Sequence, residues 1–196
     1  MRIAIDTNVL IDLEQAAARA EVLNSLVRRG HSRKHDICVP AIVASERGLE
    51  GTLVKNFAEF ESRLFAIGLA DAELLSPMLY LDVCFFDHAL LCSDEMEALE
   101  RQIHEVLFPS LPFVYADYCA HAGIEPAADT YDRKWRNAKC DVQVIWAHVW
   151  YHTDALVSAD NNMFKASKKS RLEKLAGGRP LIHPSDLPSF LAGTAG

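Results

Sequence analysis

The sequence predicts an α/β fold built on a mainly parallel central sheet flanked by helices. Two observations carry that reading. Short apolar runs alternate with longer stretches of helical period, the order expected of β-α-β units. The runs also end on polar or proline residues where a helix is due to begin, as in MRIAIDTNVLID at residues 1–12. The chain has 196 residues, 50% of them hydrophobic, so one core can serve a single domain over 1–196.

The elements follow in order. Ile3–Ile5 reads as a first strand, and 8–29 as one or two helices closed by Gly30. After the polar run HSRKHD, Ile37–Val39 is a second short strand. Pro40 suits the first turn of a helix that carries Glu46, which Gly48 and Gly51 loosen. A helix over 55–67 ends at Gly68. The stretch LYLDVCFFDHALLC (79–92) alternates in part and reads as one or two strands or a hairpin. Asp94 and Glu97 form a capping box for a helix to about Phe108, which Pro109 and Pro112 stop. A further helix lies near 114–121, and WRNAKCDVQVIWAHVWYH is helical with Val142, Ile145, Trp146 and Val149 on one apolar face. Ala155 to Ser158 is a buried strand ending near Asp160. A basic helix, a last strand at Leu181-Ile182 and a short helix from Ser185 complete the chain.

Composition excludes several classes. Mean hydropathy is +0.02 and charged residues make up 24%, ordinary for a soluble globular protein. No apolar run reaches the ~18 residues of a membrane span, and Asp6 and Asp12 interrupt any secretory leader, so the expectation is a cytoplasmic protein with no membrane partner. Five cysteines, with no C-x-x-C pair, argue against a disulfide framework or a zinc cluster. His148 and His152 stand four apart but lack the glutamate of H-E-x-x-H.

Four acids fall at comparable places. Asp6 follows the first strand, Glu46 lies in the helix after the second, Asp141 opens a helix, and Asp160 follows a later buried strand. Each has an ordinary alternative, a helix cap for Asp6 and Asp141, a solvated face for Glu46 and a turn for Asp160. If the strands are parallel neighbours, however, all four point into one crevice at the C-terminal sheet edge. Like charges that close raise one another's pKa unless a cation joins them, and oxygen-loving Mg²⁺ or Mn²⁺ answers that need.

The order D-T-N after the first strand, S-E in the second helix, D at a later helix and V-S-A-D after a strand resembles the PIN domain, a family of metal-dependent nucleases that are chiefly endoribonucleases. The resemblance covers about 1–65 and 134–190. It implies catalytic and metal-ligating roles for Asp6, Glu46, Asp141 and Asp160, with support from Thr7, Asn8 and Ser158. It also implies one or two Mg²⁺ or Mn²⁺ ions and RNA as substrate. Some members are toxins of toxin–antitoxin pairs, so a protein antitoxin is an implied partner. Two departures stand out. Asn161 and Asn162 replace a further acid, leaving Asn162 to act through a metal-bound water, and 76–130 is an α+β insertion without counterpart in the small toxins.

Net charge is −7 and the pI about 5.6, at first sight wrong for a nucleic-acid protein. Yet nine of the 20 basic residues flank the last two acids. Arg133, Lys134, Arg136 and Lys139 precede Asp141, and Lys165, Lys168, Lys169, Arg171 and Lys174 follow Asp160, so these flanks are the candidate RNA contacts. Residues 71–105 hold nine acids and one basic residue, Arg101, and should repel phosphate. The apolar positions Met96, Leu99, Ile103, Val106 and Leu107 there either join the domain's own core or form a surface for a second copy or a basic partner.

The reading is therefore a metal-dependent endoribonuclease. Its rivals are a non-catalytic RNA- or partner-binding protein on the same fold and a structure-specific DNA nuclease. A phosphatase of the haloacid dehalogenase type fits less well, because D-T-N lacks a second aspartate two residues on.

Overall fold

The computed structural model describes residues 1–15, 20–31, 36–46, 53–126 and 131–193. Five strands form one sheet: β1 (Arg2–Ile5), β2 (Asp36–Pro40), β3 (Glu73–Leu75), β4 (Ala155–Val157) and β5 (Leu181–Ile182). Their order is β3-β2-β1-β4-β5 and every pairing is parallel. The protein is thus α/β with an all-parallel five-stranded sheet flanked by helices.

The register centres on β1, where Ile3 faces Ile37 on one side and Ala155 on the other. Ile3, Ala4, Cys38, Val39, Ala155, Leu156 and Val157 are all buried. They run consecutively rather than alternating, because helices cover both faces of a parallel sheet. Parallel strands need crossovers, supplied in turn by α1 (Thr7–Glu14), α2 (Ala20–His31), α3 (Phe57–Ala66), α4 (Asp94–Leu107), α5 (Tyr115–Ala122), α6 (Arg133–Trp150) and α7 (Ala166–Leu175), with α8 (Leu187–Gly193) last. Gly30 lies within α2 and does not end it. Gly48 and Gly51 lie outside the described residues.

Three expectations are corrected by packing. The stretch 79–92 is not a hairpin. Its backbone turns on itself, with Val83 and Cys84 N–H both donating to Tyr80 O, a short 3-10 helix at Phe86–His88, and a single isolated bridge between Met78 and Leu90. Asp82 adopts φ 59°, a left-handed conformation that breaks a strand. The third strand is instead β3, three residues too short to show a period.

The middle segment has irregular backbone to residue 92 and then helices α4 and α5, with no strand among its described residues, so it is not α+β, and its apolar stripe faces inward. Met96, Ile103, Val106 and Leu107 are buried in the main core, with Leu99 packed against it. Each such side chain contributes about 1.5–3 kcal/mol when fully buried. That stripe is therefore core, not a docking face. The cap of α4 is Ser93, whose Oγ accepts from Met96 N at 3.3 Å; Glu97 pairs with Arg101 instead of closing a capping box.

The third correction concerns Asp141. It lies midway along the 18-residue α6, whose N-cap is Asp132, accepting from Lys134 and Trp135 N–H. Capping therefore does not explain Asp141. No described helix is long and apolar enough to cross a membrane.

Candidate functional site

In this strand order β1 sends its chain one way, to β2 and β3, while β4 and β5 lie on its other side. The gap above β1 and β4 is the topological switch point, where open α/β sheets bind ligands. Asp6 leaves β1 there, and Ser158–Asp160 leave β4.

Asp6 is 4% exposed and anchored at both oxygens. Its Oδ1 accepts from Thr7 N–H at 2.6 Å, which caps α1; its Oδ2 accepts from Asn8 Nδ2 at 2.7 Å and from Ser158 Oγ at 2.6 Å. Asn8 also bridges the two strand ends, since its Oδ1 accepts from Ala159 N–H at 2.7 Å. Ser158 Oγ in turn accepts from Asp160 N–H at 3.0 Å, and Asp160 Oδ1 accepts from Asn162 N–H at 2.8 Å. Thus Asp6, Asn8, Ser158 and Asp160 form one bonded unit across the switch point.

Glu46 enters from β2. A 3-10 helix at Ala41–Ser45 follows that strand, and Glu46 ends it in extended conformation rather than sitting in a second helical turn. Burial pushes its carboxyl well above the usual range, and the charges of Asp6, Asp141 and Asp160 push it further. Burial likewise lifts Asp141 well above its ordinary value, with Asp6 and Asp160 adding to it. Asp6 is raised by burial and Asp160, against the opposing bonds from Ser158, Thr7 and Asn8. The four acids therefore share one electrostatic field. None takes part in an ion pair among the described residues.

The cluster is not a closed cage. Among the described residues no three His, Cys, Asp or Glu side chains are arranged to hold a metal ion. The donor chemistry nevertheless suits a hard cation, and one acceptor is unused. Glu46 Oε1 is buried with no hydrogen-bond partner. The Thr7 hydroxyl lies near enough to lower the Glu46 carboxyl a little, yet Thr7 Oγ1 has no partner of hydrogen-bond geometry either.

The remaining expected residues divide. Asn162 turns its amide away from this work, because Oδ1 accepts from Lys165 Nζ at 3.2 Å and Lys168 Nζ at 2.6 Å. Lys168 also donates to Leu107 O at 2.5 Å, tying α7 to the end of α4. Lys169 is half-buried against Phe164 and Glu173, while Lys165 and Arg171 are exposed.

On α6, Arg133 and Lys134 are exposed, but Lys139 is not available to RNA. It is 1% exposed, bonded to Glu100 Oε1 at 3.1 Å and Tyr80 OH at 3.2 Å, with its ammonium 3.4 Å from the Phe113 ring centre. Burial pulls its pKa down while Glu100 opposes that. Arg136 faces a cavity beside Ser45, a residue marked in the sequence only by its place before Glu46. His148 is buried with Nδ1 bonded to Thr153 Oγ1 at 2.6 Å, and its Nε2 has no hydrogen-bond partner.

Fold and site together define an all-parallel α/β protein with a carboxylate-rich crevice at its switch point. In comparisons with known proteins, no family model matches the chain, and no curated protein matches it.

Proposed function

We propose that this protein is a PIN-like, Mg²⁺- or Mn²⁺-dependent phosphodiesterase that hydrolyses RNA. The observation that carries the reading is the convergence of Asp6, Glu46, Asp141 and Asp160 from four separate elements into one field, with none of the four in an ion pair among the described residues. The sheet order is compatible with such a fold.

Asp6, Asp141 and Asp160 would hold the ion, with Glu46 beside it. When bound, the ion lowers the pKa of an attacking water and offsets charge developing on the phosphoryl group. The chain's own residues prepare that site. Ser158 and Asn8 hold the Asp6 carboxylate in one orientation, so little reorganisation is needed. Glu46 Oε1, unbonded, is the acceptor that would orient the attacking water. The N-terminus of α1, starting at Thr7, adds positive potential facing the crevice. The thiols are poor nucleophiles: Cys38 Sγ donates to Glu73 Oε2 at 3.4 Å, yet burial pushes it up to about 12, and burial pushes Cys84 up to about 11.

A second reading, a non-catalytic RNA- or partner-binding protein on this fold, is favoured by the absence of a closed three-ligand group among the described residues and by the lysines that occupy Asn162. One assay separates them. Labelled single-stranded RNA and DNA are incubated with wild type and Asp6→Asn, in Mg²⁺, Mn²⁺ or EDTA. Metal-dependent RNA cleavage that Asp6→Asn abolishes supports the nuclease. Binding without cleavage in any metal supports the second reading, and cleavage of DNA alone supports a DNA nuclease. If the chain is a toxin, co-expression with a neighbouring small open reading frame should suppress the cleavage.

A further inference from the structure

Two cavities share Ser45, the residue before Glu46, and their linings differ in chemistry as the two ends of a nucleotide do. The smaller, about 60 Å³, is lined by Ser45, Leu53, Tyr131, Arg133, Arg136 and Asn137. Two of its donors are unused. Ser45 is 3% exposed and its Oγ has no hydrogen-bond partner. Arg136 Nε is buried without a partner, and none of the hydrogen bonds or ion pairs of the described residues employs its guanidinium. The residue is part-exposed, but a buried donor left without a partner costs about 1–3 kcal/mol, which an anion held by the guanidinium would offset. With Arg133 on the same wall, the missing group is an anion with several oxygens, and phosphate matches the guanidinium fork.

The larger cavity, about 200 Å³, shares Ser45, Leu53 and Arg136 with the first. Its other walls are mainly apolar: Val54, Val83 and Phe85. Asp82 lies on this wall, a carboxylate that repels phosphate but accepts hydrogen bonds from a base edge. Charge therefore orients the occupant. The phosphate belongs over Arg136 and Ser45, and the flat apolar ring belongs between Leu53, Val83 and Phe85. A base can enter such a cavity only when it is out of a helical stack, which selects single strands.

We propose that these paired cavities are a nucleotide subsite that grips one phosphate and its base beside the carboxylate crevice, so that the site takes single-stranded nucleic acid. This rests on the nuclease reading for its place next to Glu46, but binding itself needs neither metal nor cleavage. Ser45 connects the two, since the residue that would touch the phosphate directly precedes the residue that would orient water.

The test is made in EDTA by fluorescence anisotropy, with a labelled single-stranded eight-nucleotide probe, its duplex, and a single strand of equal length in which every base is absent. Arg136→Gln should weaken single-strand binding about tenfold and lower the salt slope by about 0.7. Arg136→Lys should restore the slope but only part of the affinity, because it keeps the charge and loses the fork. The abasic strand should bind wild type about tenfold more weakly than the intact one. Thermal melting confirms that each variant is folded. Unchanged affinity and slope in Arg136→Gln would overturn the phosphate half. An abasic strand or duplex bound as tightly as the intact single strand would overturn the base half. Cleavage in Mg²⁺ keeps the two proposals distinguishable. Arg136-dependent binding without cleavage leaves the subsite standing and sinks the nuclease, while cleavage with a KM indifferent to Arg136→Gln does the reverse.

Discussion

Ser158 Oγ donates a 2.6 Å hydrogen bond to Asp6 Oδ2, joining the ends of β4 and β1 across 152 positions of sequence. The same oxygen accepts from Asp160 N–H. One hydroxyl thus orients two of the four acids. Ser158→Ala should destabilise the protein by roughly 1–3 kcal/mol, because it leaves a buried carboxylate oxygen and a backbone N–H short of a partner. Urea unfolding reads the loss directly. Wild-type stability in the variant would show that Asn8 alone is enough to hold Asp6.

The Asp141 carboxyl makes no hydrogen bond among the described residues and is repelled by Asp6 and Asp160. Asp141→Asn should therefore raise the melting temperature in EDTA. The sign follows from the raised carboxyl pKa values. The folded state holds these protons more tightly than the unfolded chain, so stability falls as pH rises above the ordinary carboxylate range and recovers on acidification. The gain from Asp141→Asn should be larger at pH 8 than at pH 5. Mg²⁺ should stabilise wild type and have little effect on the variant. A destabilised variant with an undiminished Mg²⁺ shift would place the ion elsewhere.

His148 works in the opposite direction. Burial and the nearby Arg179 hold its pKa down at about 4, against an ordinary 6.5. The unfolded chain takes up this proton first, so stability is lost as pH falls from 6.5 towards 4. The loss is up to about 1.4 kcal/mol per pH unit. Asn at 148 can still bond Thr153 without titrating. The difference in unfolding free energy between wild type and His148→Asn should shift against wild type over that interval. A difference independent of pH would mean that the imidazole is already charged in the fold.

Glu100 and Lys139 form a buried pair, both at 1% exposure or less, with Tyr80 and Gln143 completing the bonds to the carboxylate. Removing one partner by Glu100→Gln or Lys139→Met should cost about 3–5 kcal/mol, and replacing both with Met should cost much less. Denaturant midpoints measure this. A strictly additive double variant would show that the two charges do not depend on each other.

The basic flanks should separate by burial. Arg171→Ala and Lys134→Ala, both exposed, should each flatten the salt dependence of single-strand RNA binding by about 0.7 log units per lost phosphate contact. Lys139→Met, where it remains folded, should leave the slope unchanged. The reverse pattern in nitrocellulose binding across a salt series would mean that α6 presents a different face to RNA.

The strand-and-helix order, four of the five strands and the positions of Asp6 and Asp160 were legible in the sequence, because each depends on local signals: an apolar run, then a polar junction. The parallel sheet followed from alternation alone. Other features required the packed molecule. β3 has three residues, too few for periodicity, and exists because β2 offers it an edge. The run 79–92 has strand-like composition but finds no neighbouring strand, so its amides bond locally. Asp141 and Lys139 are two positions apart in a charged stretch, and nothing in that stretch tells which way either points. The 3.6-residue turn of α6 sends one towards Asp6 and the other into the pocket made by Glu100 and Phe113. A sequence records which charges exist; burial and partner distance, set only when the helices pack, decide whether a charge repels its neighbours, pairs in the core or faces solvent.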